Sequence, residues 1–193
     1  SMFAESGHDF NDDIVETFIL GENIRGRFAR IDRSLNYILF QHQYPKEVSS
    51  LLAEAILLAV MIGQAIKLKW KLSLQVRGSG LIKLIAVDYF SPKTKSSLAS
   101  VRAYAQFERQ NLDSAAVSAF HSLGKGFFAI LIDQGPGTEP YQGITPLMGD
   151  SLADCATAYF DQSEQLPTAF KLTVGQTNTS SNRMIWKGGG MML

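Results

Sequence analysis

The chain has 193 residues, which is enough for one domain with a substantial hydrophobic core. Apolar residues make up 46% of it and charged residues 19%, a balance typical of a globular protein and not of a disordered one. The 18 Lys and Arg residues equal the 18 Asp and Glu residues, so the neutral total argues against a broad electrostatic surface for nucleic acid or anionic membrane.

The beginning of the chain, SMFAESGHDFNDD, is polar and acidic and does not look like a secretory signal. Ser1 before Met2 is typical of a residue left by tag removal, so we expect residues 1–13 to be a flexible N-terminus or tag remnant. Cys155 is the one cysteine and cannot form an internal disulfide. A reducing, cytoplasmic setting is therefore the default expectation.

Two strands and two helices are predicted next. DIVETFIL and IRGRF are rich in β-branched and aromatic residues or alternate in polarity, and residues 21–23 between them predict a hairpin turn. Asp32 is a fair N-cap for the helix RSLNYILFQH, and Pro45 begins a second helix that runs to about Ile66. Its apolar part, LLAEAILLAVMIGQAI, has 16 residues. That is short of the ~20 needed to span a bilayer, so we predict a helix buried on most sides.

A three-stranded antiparallel meander follows. LKWKLSLQVR alternates apolar and polar residues without an error, which predicts a strand with one packed face and one face in water. GSG turns the chain into LIKLIAVDYF, which we expect to be the more central strand because it is more apolar. SVRAYAQF supplies the third strand.

The rest of the chain mixes strands with one helix. NLDSAAVSAFHSL is ambiguous between a helix and a loop, FFAILID predicts a buried strand, QGPG a turn, and YQGITPL another strand. Ser151 and Asp154 resemble a capping box for the helix SLADCATAYFDQSEQ, whose apolar residues share one stripe and which Pro167 ends. TAFKLTV, the polar loop GQTNTSSN and RMIWKGGGMML close the chain as strand, loop and strand. The predicted fold class is α+β, a single domain whose antiparallel or mixed sheets pack on a largely buried helix pair.

The sequence contains no motif that predicts a set of catalytic residues. LGKGF lacks the spacing of a phosphate loop and GSG lacks the third glycine of a dinucleotide fingerprint, so both are interpreted as tight turns. His8, His42 and His121 are scattered, without a second ligand type at metal-binding spacing. Cys155 lies on the apolar stripe of its helix, which favours a buried, inert thiol, while a Cys–His nucleophile stays open.

Asp133, Gln134 and Tyr141 flank the QGPG turn. Polar groups at the end of a buried strand can line a site, so a small-molecule hydrolase acting near Asp133 and Tyr141 is one alternative function. Capping of the turn by the Asp133 side chain explains that residue equally well.

A second alternative rests on the cations of the polar strand face, which are Lys69, Lys71, Arg77 and Lys83. This face could bind an anion or RNA. On a neutral protein, a solvated sheet face is the favoured interpretation.

Taken in order, the segments resemble the heat-shock protein 33 family, the redox-regulated bacterial holdase chaperones, from about Phe18 to Met192. The resemblance rests on these segments: IRGRFARID, YPKEVSSLLAEAILLA, LSLQVRGSG, KLIAVDY, VRAYAQF, LGKGFFAILIDQGPGTEPYQGITPL, SLADCATAYFDQSEQLPTAFKL and WKGGGMML. It implies an ATP-independent holdase, not an enzyme, that binds unfolding or partly folded proteins under oxidative stress. The implied setting is a cytoplasmic homodimer without a membrane or nucleic-acid partner.

In that family a separate C-terminal domain carries Cys-x-Cys and Cys-x-x-Cys, which bind zinc when reduced and form disulfides when oxidised. Neither pair occurs here and Cys155 matches none of the four, so no zinc ligand is carried over, and no catalytic, cofactor-binding or client-binding residue is assigned. The resemblance makes residues 1–193 the chaperone core domain, with a linker toward the zinc domain starting at about residue 176. Met191 to Leu193 would then lie at the edge of the core. Whether the sequence stops before the zinc domain or belongs to a homologue without one stays open.

Overall fold

A computed structural model describes residues 14–20, 24–94, 96–109, 118–163 and 168–193. Over these residues the chain forms nine strands and three α-helices. The strands are β1 (Ile14–Leu20), β2 (Ile24–Arg30), β3 (Lys71–Gly78), β4 (Ile82–Phe90), β5 (Ser100–Phe107), β6 (Gly126–Asp133), β7 (Tyr141–Pro146), β8 (Phe170–Asn178) and β9 (Met184–Met192). The helices are α1 (Asp32–His42), α2 (Lys46–Ala65) and α3 (Leu152–Gln162). The predicted α+β class is confirmed.

Two antiparallel sheets contain all of these strands. The four-stranded sheet has the order β1-β2-β9-β8 and the five-stranded sheet the order β5-β4-β3-β6-β7. The meander β3-β4-β5 is confirmed, but β6 pairs with the other side of β3, so β3 and not β4 is the central strand. The expectation for β4 was wrong because apolar content reports whether both faces of a strand are covered, not where the strand lies in the sheet.

Helix α2 lies between the two sheets and forms the centre of the core. It contacts β3, β4 and β5 on one side and β2, β8 and β9 on the other. From Leu51 to Ile62 every residue except Glu54 is at most 1% exposed. By length and composition α2 could cross a bilayer, but burial between two sheets accounts for its apolar character. The predicted buried helix is confirmed.

The start of α1 differs from the prediction. The helix begins at Asp32 itself, after Ile31, so Asp32 is not the N-cap. Its carboxylate accepts the main-chain N–H of Gly188 at 3.0 Å and pairs with Arg30 at 3.1 Å. The side chain therefore binds strand β9 instead of the first turn of its own helix.

The start of α3 follows the prediction in part. The Ser151 hydroxyl caps the helix by accepting the N–H of Asp154 at 3.1 Å. The Asp154 carboxylate accepts from Asp150 at 2.8 Å and does not return to Ser151 as a full capping box requires. The apolar stripe of α3 is buried as predicted, and its members are Leu152, Cys155, Ala156, Tyr159 and Phe160.

Strand β9 corrects the expectations for the C-terminal segment. It lies inside its sheet, paired with β2 on one side and with β8 on the other, so Met191 and Met192 do not form an open strand edge, although Met191 and Leu193 are 40% and 39% exposed. Residues 170–178 and 184–192 are paired strands, which corrects the expectation of a linker from about residue 176. The division into a core domain and a zinc domain stays a prediction.

Some predicted features lie outside the described residues. They are the terminus 1–13, the turn 21–23, Pro167, and most of the ambiguous segment after β5, of which only 118–123 are described. Residues 118–123 end in a short 3-10 helix, His121–Leu123.

Candidate functional site

The turn after β6 borders a shallow groove of about 610 Å³, lined by Lys69, Trp70 and residues 133–138. Asp133 accepts the N–H of Gly135 through Oδ1 at 2.9 Å, so it caps the turn. Gln134 accepts the N–H of Lys69 at 2.7 Å and fastens the turn to the segment before β3. The hydrogen bonds of both side chains therefore stabilise the conformation of this turn.

Tyr141 is not among the residues that line this groove. It lies at the start of β7, where its hydroxyl accepts a hydrogen bond from Tyr159 at 3.4 Å. The register pairs Tyr141 with Ile132, so its side chain lies on the face opposite that of Asp133, and a hydrolytic site built on the two finds no geometric support.

Cys155 lies in the core as predicted. It is fully buried, and its thiol donates to the carbonyl of Met148 at 3.3 Å. Burial raises the pKa of the Cys155 thiol, which keeps it protonated and poorly nucleophilic. The hydrogen bond of the thiol goes to the Met148 carbonyl and not to a histidine, while His121 hydrogen-bonds Ser118 at 2.6 Å and His42 stacks on Tyr44.

The described residues do not fit zinc. Among them no group of three or more His, Cys, Asp or Glu side chains could hold a metal ion. A thiolate site needs deprotonated sulfur ligands, and the single thiol here is buried with a raised pKa. His8 lies outside the described residues.

The cations of the polar strand face, Lys69, Lys71, Arg77 and Lys83, do not share a common partner. Lys83 pairs with Glu108 at 3.5 Å, Arg77 donates to Gln75 at 3.4 Å, and Lys71 lies over the ring of Trp70. Lys69 precedes β3 and is not part of the strand. Because acidic and neutral groups alternate with these cations, the face is not a continuous positive surface for RNA.

The five-stranded sheet has an exposed apolar surface that the sequence patterns do not predict. Phe127 is 54% exposed, Ile144 52% and Tyr104 47%. They lie on the outer face of the sheet, which is the face turned away from α2, because Phe128 and Ile130 occupy the buried face. The prediction of a buried β6 is therefore right for only one of its faces.

We use the name outer patch for the apolar group on β6 and β7 formed by the exposed Phe127 and Ile144 and the partly buried Ala129 and Leu131. The register places Ile144 opposite Ala129, and Phe127 and Leu131 are the next residues along β6 on the same face. Contiguous exposed apolar surface on a soluble protein is typical of an interaction site. An apolar run such as FFAILID is the same whether one or both faces are covered, so the sequence carried no signal for it.

The chain is similar to known proteins in both sequence and fold. The chain matches the model of the family described as Hsp33 protein over residues 12–193. The 33 kDa chaperonin of Caulobacter vibrioides is 38% identical over 191 residues, an alignment that covers 94% of this chain and 60% of the relative. That of Azotobacter vinelandii is 34% identical over 161 residues, covering 83% of this chain and 52% of the relative. The chain thus spans between half and two thirds of the length of these relatives.

A crystal structure of the 33 kDa chaperonin (heat shock protein 33 homolog) from Thermotoga maritima shares the fold. Its TM-score is 0.70 at 20% sequence identity, over 94% of this chain and 61% of that chain. The family model covers nearly the whole sequence. The chain therefore belongs to the Hsp33 family.

Proposed function

We propose that this chain is the core of an ATP-independent holdase, a chaperone that binds unfolding proteins under oxidative stress in the cytoplasm. Two things support the proposal: membership of the Hsp33 family and relatives named chaperonins. The observation that carries it is the outer patch, an apolar surface that no described element covers. We propose a binding protein and not an enzyme.

The physical basis is the apolar surface that a client exposes when it unfolds. Burying such surface is worth ~25 cal/mol per Å², and the attraction is non-directional, so one patch serves clients of many sequences. ATP has no part in this step. The glycine segment at LGKGF turns directly into β6, whereas a phosphate loop leads into a helix.

We propose that zinc binding and redox control belong to the part of the relatives that this chain does not match. Cys155 is not suited to sensing, because a buried thiol with a raised pKa reacts slowly with oxidants. Metal analysis of the purified chain should find no stoichiometric zinc. One tightly held zinc per chain would contradict this assignment.

We also propose that the chain forms a homodimer. The measurement is molar mass by light scattering during size-exclusion chromatography over a range of concentrations. A mass of two chains supports the proposal, and a single-chain mass at all concentrations rejects it.

The test of function is the aggregation of a heat-unfolded model enzyme, followed by light scattering without ATP. The chain at equimolar concentration should suppress the scattering, and added ATP should change nothing. An unrelated protein of similar size and neutral charge is the control. Scattering equal to that of the control would reject the proposed function.

A further inference from the structure

We infer that the open edge of β7 receives an extended segment of the unfolded client as an additional strand of the five-stranded sheet. The inference rests on the proposed function and names the place and the form in which the client is held. The groups that would bind the client strand are the main-chain N–H and C=O groups of Gln142 and Ile144 and the apolar side chains beside them.

The main chain of β7 has one side without a described partner. β7 is the last strand of its sheet and pairs only with β6 among the described elements. Leu147 donates its N–H to the carbonyl of Gly126 at 2.9 Å, one step beyond the Phe127–Pro146 pair. Because hydrogen-bonded and non-hydrogen-bonded positions alternate along an antiparallel pair, Gln142 and Ile144 turn their N–H and C=O groups away from β6.

This edge carries exposed apolar side chains on both of its faces, next to the polar Gln142 on the outer face. Ile144 and Phe127 lie on the outer face and are 52% and 54% exposed. Tyr141 lies on the opposite face of β7 and is 40% exposed. A strand added beside β7 would therefore cover apolar surface with the side chains of both its faces.

An unfolded polypeptide is the partner that fits this edge. Its main-chain donors and acceptors are unpaired, and its apolar side chains are exposed. Pairing through the main chain is independent of sequence, and the apolar flanks favour hydrophobic segments. A folded partner would instead have to present an open strand of its own.

The other edges are less suited, where the structure describes their side chains. At the β5 edge, the N–H of Ala105 already donates to the hydroxyl of Tyr44 at 3.0 Å, and the one exposed apolar side chain of the strand is Tyr104, with no exposed aliphatic neighbour on β5. At the β8 edge the outer face presents Lys171, Thr173 and Gly175, which offer little apolar surface. Of these edges, β7 alone combines unpaired main-chain groups with exposed aromatic and aliphatic side chains.

Amide hydrogen exchange by NMR tests the inference on the unaltered chain. The probe is reduced, carboxymethylated α-lactalbumin, which is permanently unfolded. At saturating probe, the Gln142 and Ile144 amides should exchange at least about tenfold more slowly than in the free chain. The inward-facing Gly143 amide should be protected in both states. Unchanged exchange of Gln142 and Ile144 while the probe is bound would overturn the inference.

Two separate proline substitutions, one at each edge, test the same inference by mutation. Gln142→Pro removes one outward N–H, and proline is tolerated at an edge strand where the N–H does not join the ladder, as at Pro146 of the same strand. Gln176→Pro is the control, because Gln176 has the same outward orientation on the β8 edge. Gln142→Pro should weaken probe binding at least about threefold, and Gln176→Pro should leave it unchanged.

Equal affinity of both variants and the wild type would overturn the edge assignment and leave the proposed function standing. A wild-type chain that binds no unfolded probe would reject the function and the inference with it. If Gln142→Pro does not fold, the exchange experiment on the wild-type chain decides alone.

Discussion

The side-chain amide of Asn36 pairs with both main-chain groups of Trp186. Its Nδ2 donates to the Trp186 carbonyl at 2.8 Å, and its Oδ1 accepts the Trp186 N–H at 2.7 Å. Strand β2 pairs with β9 only as far as Gly189, and Asp32 then takes the N–H of Gly188. Helix α1 thus continues the hydrogen bonding of β9 where its neighbouring strand ends.

Asn36→Ala should lower the free energy of unfolding by about 1–3 kcal/mol, because Trp186 is nearly buried and would lose both main-chain partners. Asn178→Ala, at the exposed end of β8, is the control and should change stability by less than about 0.5 kcal/mol. Urea unfolding followed by circular dichroism measures both. Equal stabilities of the two variants would show that the Asn36 pairing contributes little.

The three glycines of WKGGG differ in the space around them. A Cβ at Gly188 would come within 2.5 Å of Leu35, and a Cβ at Gly190 within 2.8 Å of Met61, whereas at Gly189 the nearest atom is 3.4 Å away. Gly188→Ala and Gly190→Ala should each cost about 1–3 kcal/mol of stability through overpacking against the helices. Gly189→Ala is the matched control, and thermal unfolding should place it near the wild type. A destabilisation as large in the control would point to chain flexibility and not to helix packing.

Glu54 makes the core sensitive to pH. Burial raises its pKa from 4.5 to about 7. The folded chain then binds the proton more tightly than the unfolded chain, so this group opposes folding increasingly as the pH rises from about 4.5 to about 7. Above that range the cost is constant, and a shift of this size corresponds to at most roughly 3 kcal/mol.

Glu54→Gln should therefore stabilise the chain at pH 8 and have little effect at pH 4.5, since the wild-type side chain is neutral there in the folded state. The free energy of unfolding measured at several pH values gives the difference between variant and wild type. Glu139→Gln, on the exposed turn before β7, is the control. A difference that does not grow between pH 4.5 and pH 8 contradicts the buried-carboxyl account.

Phe127 and Phe128 are neighbours on opposite faces of β6, with exposures of 54% and 0%. Phe127→Ala should leave stability within about 0.5 kcal/mol of the wild type but weaken the suppression of client aggregation. Phe128→Ala should lose about 3–5 kcal/mol because it empties a core position. Urea unfolding and the scattering assay together measure this contrast. Full aggregation suppression by folded Phe127→Ala would remove the outer patch from the client surface.

Several helices and strands were predictable because patterns among neighbouring residues determine them. The alternation in LKWKLSLQVR identified β3 from Lys71 onward, although Trp70 lies before the strand and is exposed, and the spacing of the apolar residues identified the buried stripe of α3. The position of β9 between β2 and β8 was not predictable, since it depends on pairing across more than 150 residues. The sequence predicts Asp32 as a helix cap because its actual partner, Gly188, is 156 residues away and leaves no local signal.

The candidate site was less predictable than the fold. The sequence predicts a candidate site at polar residues. In the structure, the side chains of Asp133 and Gln134 stabilise a turn. The surface that supports the proposed function consists of residues that sequence patterns assign to the core. Phe127 and Ile144 differ from core residues because no element in the described part of the chain covers them, and that is a property of the assembled sheet.

The most direct test of the account compares binding of this chain to the unfolded and the native form of one protein. Fluorescently labelled α-lactalbumin, reduced and carboxymethylated or native with its disulfides intact, would be titrated with the chain without ATP and followed by fluorescence anisotropy. The account predicts saturable binding of the unfolded form and none of the native form. Equal binding of both forms, or binding of neither, would contradict it.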